Sequence, residues 1–165
     1  MSPSPAAVVI EPDRLRAIVD HAEAAFPQEC CGLLSGDGAD GVIRIDEIHA
    51  SENIATEPNR RFEVDPALRL RLQRTLRHGG GRVVGIYHSH PNGPAQPSSR
   101  DLEAAWEPDL VWLIVGVRQG QAVQCTSHVL IEAEEEARFT EVPLTTTDTP
   151  PVATRKLLQG GGLDF

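Results

Sequence analysis

Residues 82–91, RVVGIYHSHP, restrict the folds open to this chain more than any other stretch. Residues 82–89 read as a β-strand, and side chains two apart on a strand share a face. His88 and His90 therefore project together from the strand's C-terminal end, where open α/β sheets tend to hold their ligands. The turn-rich residues 91–97 can bring the chain back, so that Asp101, in the first turn of a following helix, faces the same point.

The remaining pattern fits such a sheet. Residues 7–10 form a short apolar strand. Glu11-Pro12-Asp13 then opens a helix whose Leu15, Ile18, Val19 and Ala22 recur at helical spacing, and Pro27 ends it. Residues 30–36, CCGLLSG, read as a buried strand with a turn at Asp37-Gly38, and residues 42–48 alternate as the next strand. RRFEVDP has strand character up to Val64. Pro66 leads a helix with Leu68, Leu72 and Leu76 on one face, closed by Gly79-Gly80-Gly81. A helix over 98–106 follows the histidine strand. Strands are then expected over 110–117 and 121–130, joined by a tight Gln-Gly turn, with another over 138–142. Strands and helices alternate with some hairpins, which predicts an α/β domain with a mixed sheet over residues 1–144. Residues 145–165 are Thr-, Pro- and Gly-rich and read as a flexible C-terminal tail.

Bulk properties exclude several function classes. A chain of 165 residues is long enough for one domain with a real core. Its formal charge of −9 argues against general nucleic-acid binding, which needs a basic face. No apolar run approaches the ~20 residues of a membrane span, and the N-terminus lacks the pattern of a secretory signal. Three cysteines, two of them adjacent, make a poor disulfide framework and point to a reducing cytoplasm.

Two imidazoles and one carboxylate are suitable ligands for a catalytic zinc, which keeps three protein ligands and one open position. Each part also has an ordinary explanation. A lone H-x-H is common on exposed strands. Ser98 with Asp101 three residues on forms a capping box, and an acid is favourable there without any metal. Their joint spacing is harder to explain that way. Other metal folds fit less well: Pro91, Asn92 and Gly93 stand where a metallo-β-lactamase would continue its motif.

HSHPNGPAQPSSRD resembles the signature of the JAMM (MPN-plus) metalloproteases, H-S/T-H-P followed by a short loop and S-x-x-D. Upstream, FPQECCGLLSG is similar to that family's glutamate strand, and ENIATEPNRRFEVDP to the segment between the two. The likeness covers about residues 10–142. It implies a cytidine-deaminase-like, three-layer αβα fold with a mixed sheet. It further implies a zinc peptidase or isopeptidase cutting after the C-terminal Gly-Gly of a ubiquitin-like protein. By the same resemblance, His88, His90 and Asp101 hold zinc and Glu29 is the general base and acid. Ser98 helps stabilise the oxyanion. Only the resemblance selects Glu29 over Glu47, Glu52, Glu57 and Glu63. The short chain is similar to compact bacterial members that act on ubiquitin-like sulfur-carrier proteins, which makes such a carrier the expected partner.

Two other functions fit the same residues: an MPN scaffold that binds a partner without catalysis, and a zinc hydrolase of small amides. Scaffold members typically lack the ligands, all of which are present here. Cys30 and Cys31 beside Glu29 read as packing rather than as nucleophiles, and His49 and His128 as structural or exposed. The arginines from Arg60 to Arg82 read as a solvated face, with docking of an acidic carrier as the alternative. The sequence leaves the oligomeric state open.

Overall fold

The computed structural model describes residues 4–105, 107–132 and 136–147. In chain order the elements are β1 (Ala7–Ile10), α1 (Pro12–Ala25), β2 (Cys31–Ala39), β3 (Val42–Ser51), α2 (Pro66–Gly79) and β4 (Arg82–Pro91). There follow α3 (Ser99–Ala104), β5 (Val111–Arg118), β6 (Gln121–Glu132), β7 (Ala137–Val142) and β8 (Leu144–Thr146). The strands form one sheet in the order β7-β6-β5-β4-β2-β3-β1-β8. The β1–β3, β1–β8 and β4–β5 pairs are parallel and the rest antiparallel, so the sheet is mixed as expected.

Helix α1 covers one face. Its Leu15, Ile18, Val19 and Ala22 are buried together with Tyr87, Leu113, Val115 and Cys125 of the sheet. On the opposite face, Leu33, Ile86 and Trp112 meet α2 and the end of α3. Helix α2 begins with Pro66 behind Asp65, whose side chain accepts from the Ala67 N–H. It ends at Gly80, whose φ of 83° is the left-handed value a helix stop favours. Helices on both faces give the three layers. Strand β5 lies inside them, and every residue from Val111 to Val117 is buried. None of the helices among the described residues is long and apolar enough to cross a membrane.

Several expectations shift. The β2–β3 turn falls at Asp40-Gly41, both with positive φ, and not at Asp37-Gly38. The chain offers the Asp-Gly dipeptide twice, and the later turn adds the pairs Asp37↔Arg44, Gly38↔Ile43 and Ala39↔Val42 to the ladder. RRFEVDP is no strand: Val64 makes one isolated bridge to Asn53. Helix α3 closes at Ala104, and Trp106 lies outside the described residues. Strand β8 takes Thr145 and Thr146, both buried beside β1, from the segment read as tail. Thr147 still donates to the Ile10 carbonyl at 3.2 Å. Residues 148–165, including GGGLDF, lie outside the described residues.

Candidate metal centre

Strands β4 and β5 run parallel, with His88 opposite Ile114 and His90 opposite Gly116, so both histidines stand at the C-terminal end of a parallel pair. Residues 91–97 then fold back over β5. A Cβ on Gly116 would lie 3.0 Å from the Ala95 nitrogen and 3.1 Å from the Gly93 oxygen, so any side chain there would push the loop outward by a few tenths of an ångström. The loop is pinned from beneath: Thr126 donates to the Ala95 carbonyl at 2.5 Å, and the Asn92 side chain accepts from the Gln119 N–H at 2.9 Å. The returning chain places Asp101 in the first turn of α3, where a complete capping box with Ser98 fixes it.

Asp101 meets both histidines. Its carboxylate lies 3.0 Å from His90 Nε2 and 3.4 Å from His88 Nε2. His90 donates from Nδ1 to the Pro94 carbonyl at 2.8 Å, which leaves Nε2, the nitrogen facing Asp101, as the one atom of the ring that could ligate a metal. Burial opposes charge on His90, but the bond with Asp101, that carboxylate's charge and the Pro94 carbonyl outweigh it, and the pKa rises. Burial likewise pushes the Asp101 carboxyl up. The bond with His90, the charge of His88 and the Ser98 N–H win, and hold it below its ordinary value.

His88 is fully buried, and neither ring nitrogen has a hydrogen-bond partner. Its Nδ1 lies 3.4 Å from a Glu29 oxygen. Phe62 stacks on the ring with centroids 4.3 Å apart and planes 16° from parallel, and Trp112 meets it edge-on at 5.7 Å. Buried polar groups are rarely left without partners. The ring is held between aromatics and flanked by two carboxylates. Glu29, His88 and His90 each offer a ligand atom within 4.8 Å of one another, so the cluster could hold a metal ion. Glu29 is itself buried, fixed through its backbone by Pro58 and Asn53.

All five residues singled out in the sequence thus gather here. Sequence reasoning missed Phe62 and Asn53, whose roles depend on an irregular segment with no periodicity to read. The cysteines are packing: burial pushes the Cys30 and Cys31 thiols up to about 12, too high for a nucleophile at neutral pH. His49 bonds Ser35, and buried His128 bonds Thr126 beneath the loop. Of the α2 arginines, Arg69 pairs with Glu107, while Arg71, Arg74 and Arg77 are exposed.

Comparison with known proteins finds a family and several relatives. The family described as prokaryotic homologs of the JAB domain matches residues 12–129. A desampylase of Haloferax volcanii is 34% identical over 106 residues, covering 62% of this chain and 75% of that one. The CysO-cysteine peptidase of Mycobacterium tuberculosis is 30% identical over 126 residues, covering 76% and 84%. The solution structure of protein DSY2949 from Desulfitobacterium hafniense superposes with a TM-score of 0.69 at 28% identity, covering 83% and 92%.

Proposed function

The chain belongs to the family of prokaryotic JAB-domain homologs, and we propose that it is a zinc-dependent peptidase or isopeptidase. It hydrolyses the bond after the C-terminal Gly-Gly of a ubiquitin-like sulfur-carrier protein. The observation that carries this is His88: a buried ring with two unpartnered nitrogens, set between Glu29 and Asp101.

His88, His90 and Asp101 would hold the ion. Two carboxylates compete for the third place, and the direction of the rings favours Asp101. His90 has only Nε2 to offer, and that atom faces Asp101, as does Nε2 of His88. Glu29 faces the other ring nitrogen of His88. Two imidazoles and a carboxylate suit zinc better than softer or harder metals. Zinc bound there supplies Lewis acidity and a nucleophile at neutral pH.

Glu29 then remains free to move protons, taking one from the attacking water and returning it to the leaving amine. Ser98 Oγ accepts the Asp101 N–H at 3.1 Å, which leaves its own proton to donate toward the developing oxyanion. Phe62 and Trp112 cover His88 and exclude bulk water from the ring.

A desampylase and a CysO-cysteine peptidase among the relatives support a ubiquitin-like carrier as substrate. The reading is tested by incubating zinc-loaded protein with a ubiquitin-like carrier extended beyond its Gly-Gly, beside a generic dipeptide. Cleavage of the carrier alone is expected. Cleavage of the dipeptide alone would make the protein a small-amide hydrolase, and cleavage of neither would leave a binding scaffold.

A further inference from the structure

Beside the metal centre lies a cavity of about 410 Å³, lined by Glu29 and Asp101 and by Arg60, Arg61 and Arg100. Its size falls in the range of small-ligand pockets. The arginines come from two separate segments, joined where Arg100 donates to the Arg60 carbonyl at 3.2 Å. The Arg60 and Arg61 backbone is pinned by N–H bonds to the Glu57 carbonyl and by the Asn53 side chain on the Arg61 carbonyl. Glu63 and Glu103 line the same cavity. Even so, among the described residues none of these three guanidiniums forms an ion pair, whereas Arg14 and Arg69 pair with Glu47 and Glu107.

We propose that this cavity binds the leaving group, and that Arg60, Arg61 and Arg100 recognise its free α-carboxylate. The preferred substrate is then a carrier bearing a C-terminal amino acid or short peptide, rather than one joined to a lysine side chain. This rests on the peptidase reading above and deepens it. The carrier's Gly-Gly has no side chains, and its terminal carboxyl is consumed in the scissile amide, so it brings no anion to the arginines. A lysine ε-amine leaves on an uncharged alkyl stem. An amino-acid adduct carries its carboxylate on the carbon next to the scissile nitrogen, close enough to share a small cavity with Glu29. Arginine forks match carboxylates in bidentate geometry.

The step balances as a hydrolysis. Water forms the new C–O bond at the glycine carbonyl and the C–N bond breaks. Glu29 passes both of the water's protons in turn to the departing nitrogen, so a glycine carboxylate and a zwitterionic amino acid result. The acids then lie at the amine of the product and the arginines at its carboxylate.

The test uses zinc-loaded full chain and a ubiquitin-like carrier ending in Gly-Gly-Ala, either as the free acid or as the C-terminal amide. A third substrate carries a lysine isopeptide at the same glycine. We expect kcat/KM for the acid to exceed that for the amide by about tenfold or more, the scale of a charge-assisted hydrogen bond. Arg60→Gln and Arg100→Gln should each shrink that ratio, and the double variant should bring it near one. Arg44→Gln, at an exposed site on β3, should keep it. Equal cleavage of acid and amide by the unaltered protein overturns the proposal and leaves the peptidase reading intact. So does a loss in the arginine variants that is equal for both, which would put the arginines on the carrier side. Cleavage of the isopeptide alone does the same. If no substrate is cut, the peptidase reading falls and this proposal falls with it.

Discussion

The Asn53 side chain donates to the backbone carbonyl of Glu29 at 2.9 Å, tying an irregular loop to a residue of the candidate metal centre. The same amide donates to the Arg61 carbonyl at 2.9 Å and accepts from the N–H groups of Ala55 and Glu63 at 3.1 and 3.0 Å. One side chain thus shapes the segment that carries Phe62 onto His88. Asn53→Ala should cost about 2–4 kcal/mol in a urea melt, since several backbone groups lose their partner at once. Asn53→Asp should recover little, because a carboxylate can accept from Ala55 and Glu63 but cannot donate to the two carbonyls. An unchanged midpoint in both variants would mean that the loop holds its shape without this hub.

Metal content separates the two carboxylates. His88→Ala, His90→Ala and Asp101→Ala should each lose most of the bound zinc by elemental analysis, while Glu29→Ala retains it. Asp101→Ala also removes half of a capping box, so Ser98→Ala serves as its control, with a cap loss of about 1 kcal/mol. Stoichiometric zinc in the His88→Ala, His90→Ala double variant would remove the proposed centre. Loss of zinc from Glu29→Ala with retention in Asp101→Ala would exchange the two roles.

Glu29→Gln tests chemistry apart from binding. Glutamine keeps the size of the side chain but cannot take a proton from water. Zinc content and melting behaviour should match the parent, and kcat should fall by roughly 10²–10⁴-fold, the usual worth of a general base. Normal turnover would show that another group handles the proton.

The parts of this protein legible in the sequence are those governed by local rules. The Leu15–Ile18–Val19–Ala22 stripe, the Pro66 and Gly80 ends of α2 and the Gln119-Gly120 turn all have short-range causes, and all are found. The H-x-H pair was equally readable, because strand alternation alone puts both rings on one face. What stayed hidden depends on contacts across the sheet. Nothing local says that Phe62 will lie on a histidine 26 positions later, or that Asp40-Gly41 will be the turn in place of Asp37-Gly38. Strand β8 was lost to a Thr-rich composition, because its stability comes from the edge of β1, a partner 136 residues earlier. Glu29 came through family likeness, since a lone buried acid has no signature of its own.

On the face of β4 away from the candidate metal centre, one contact is expected to make stability depend on pH. Tyr87, fully buried, meets His21 of α1, with Oη and Nδ1 2.8 Å apart. A buried hydroxyl proton needs an acceptor, and Nδ1 provides one only while the imidazole is neutral. Burial of His21 lowers its pKa below the ordinary 6.5. The sign follows from that direction: in the unfolded chain the ring takes its proton near 6.5, in the folded protein only at lower pH. Its stabilising contribution is therefore complete above about 6.5 and is lost as pH falls toward the lowered folded value. His21→Gln keeps an acceptor for Tyr87 and removes the titration. Urea midpoints measured at pH 7.5 and at pH 5 should fall further between the two conditions in the parent than in this variant. Other groups titrate equally in both proteins, so the difference between the two slopes isolates His21. Parallel slopes would place the pH dependence elsewhere in the fold.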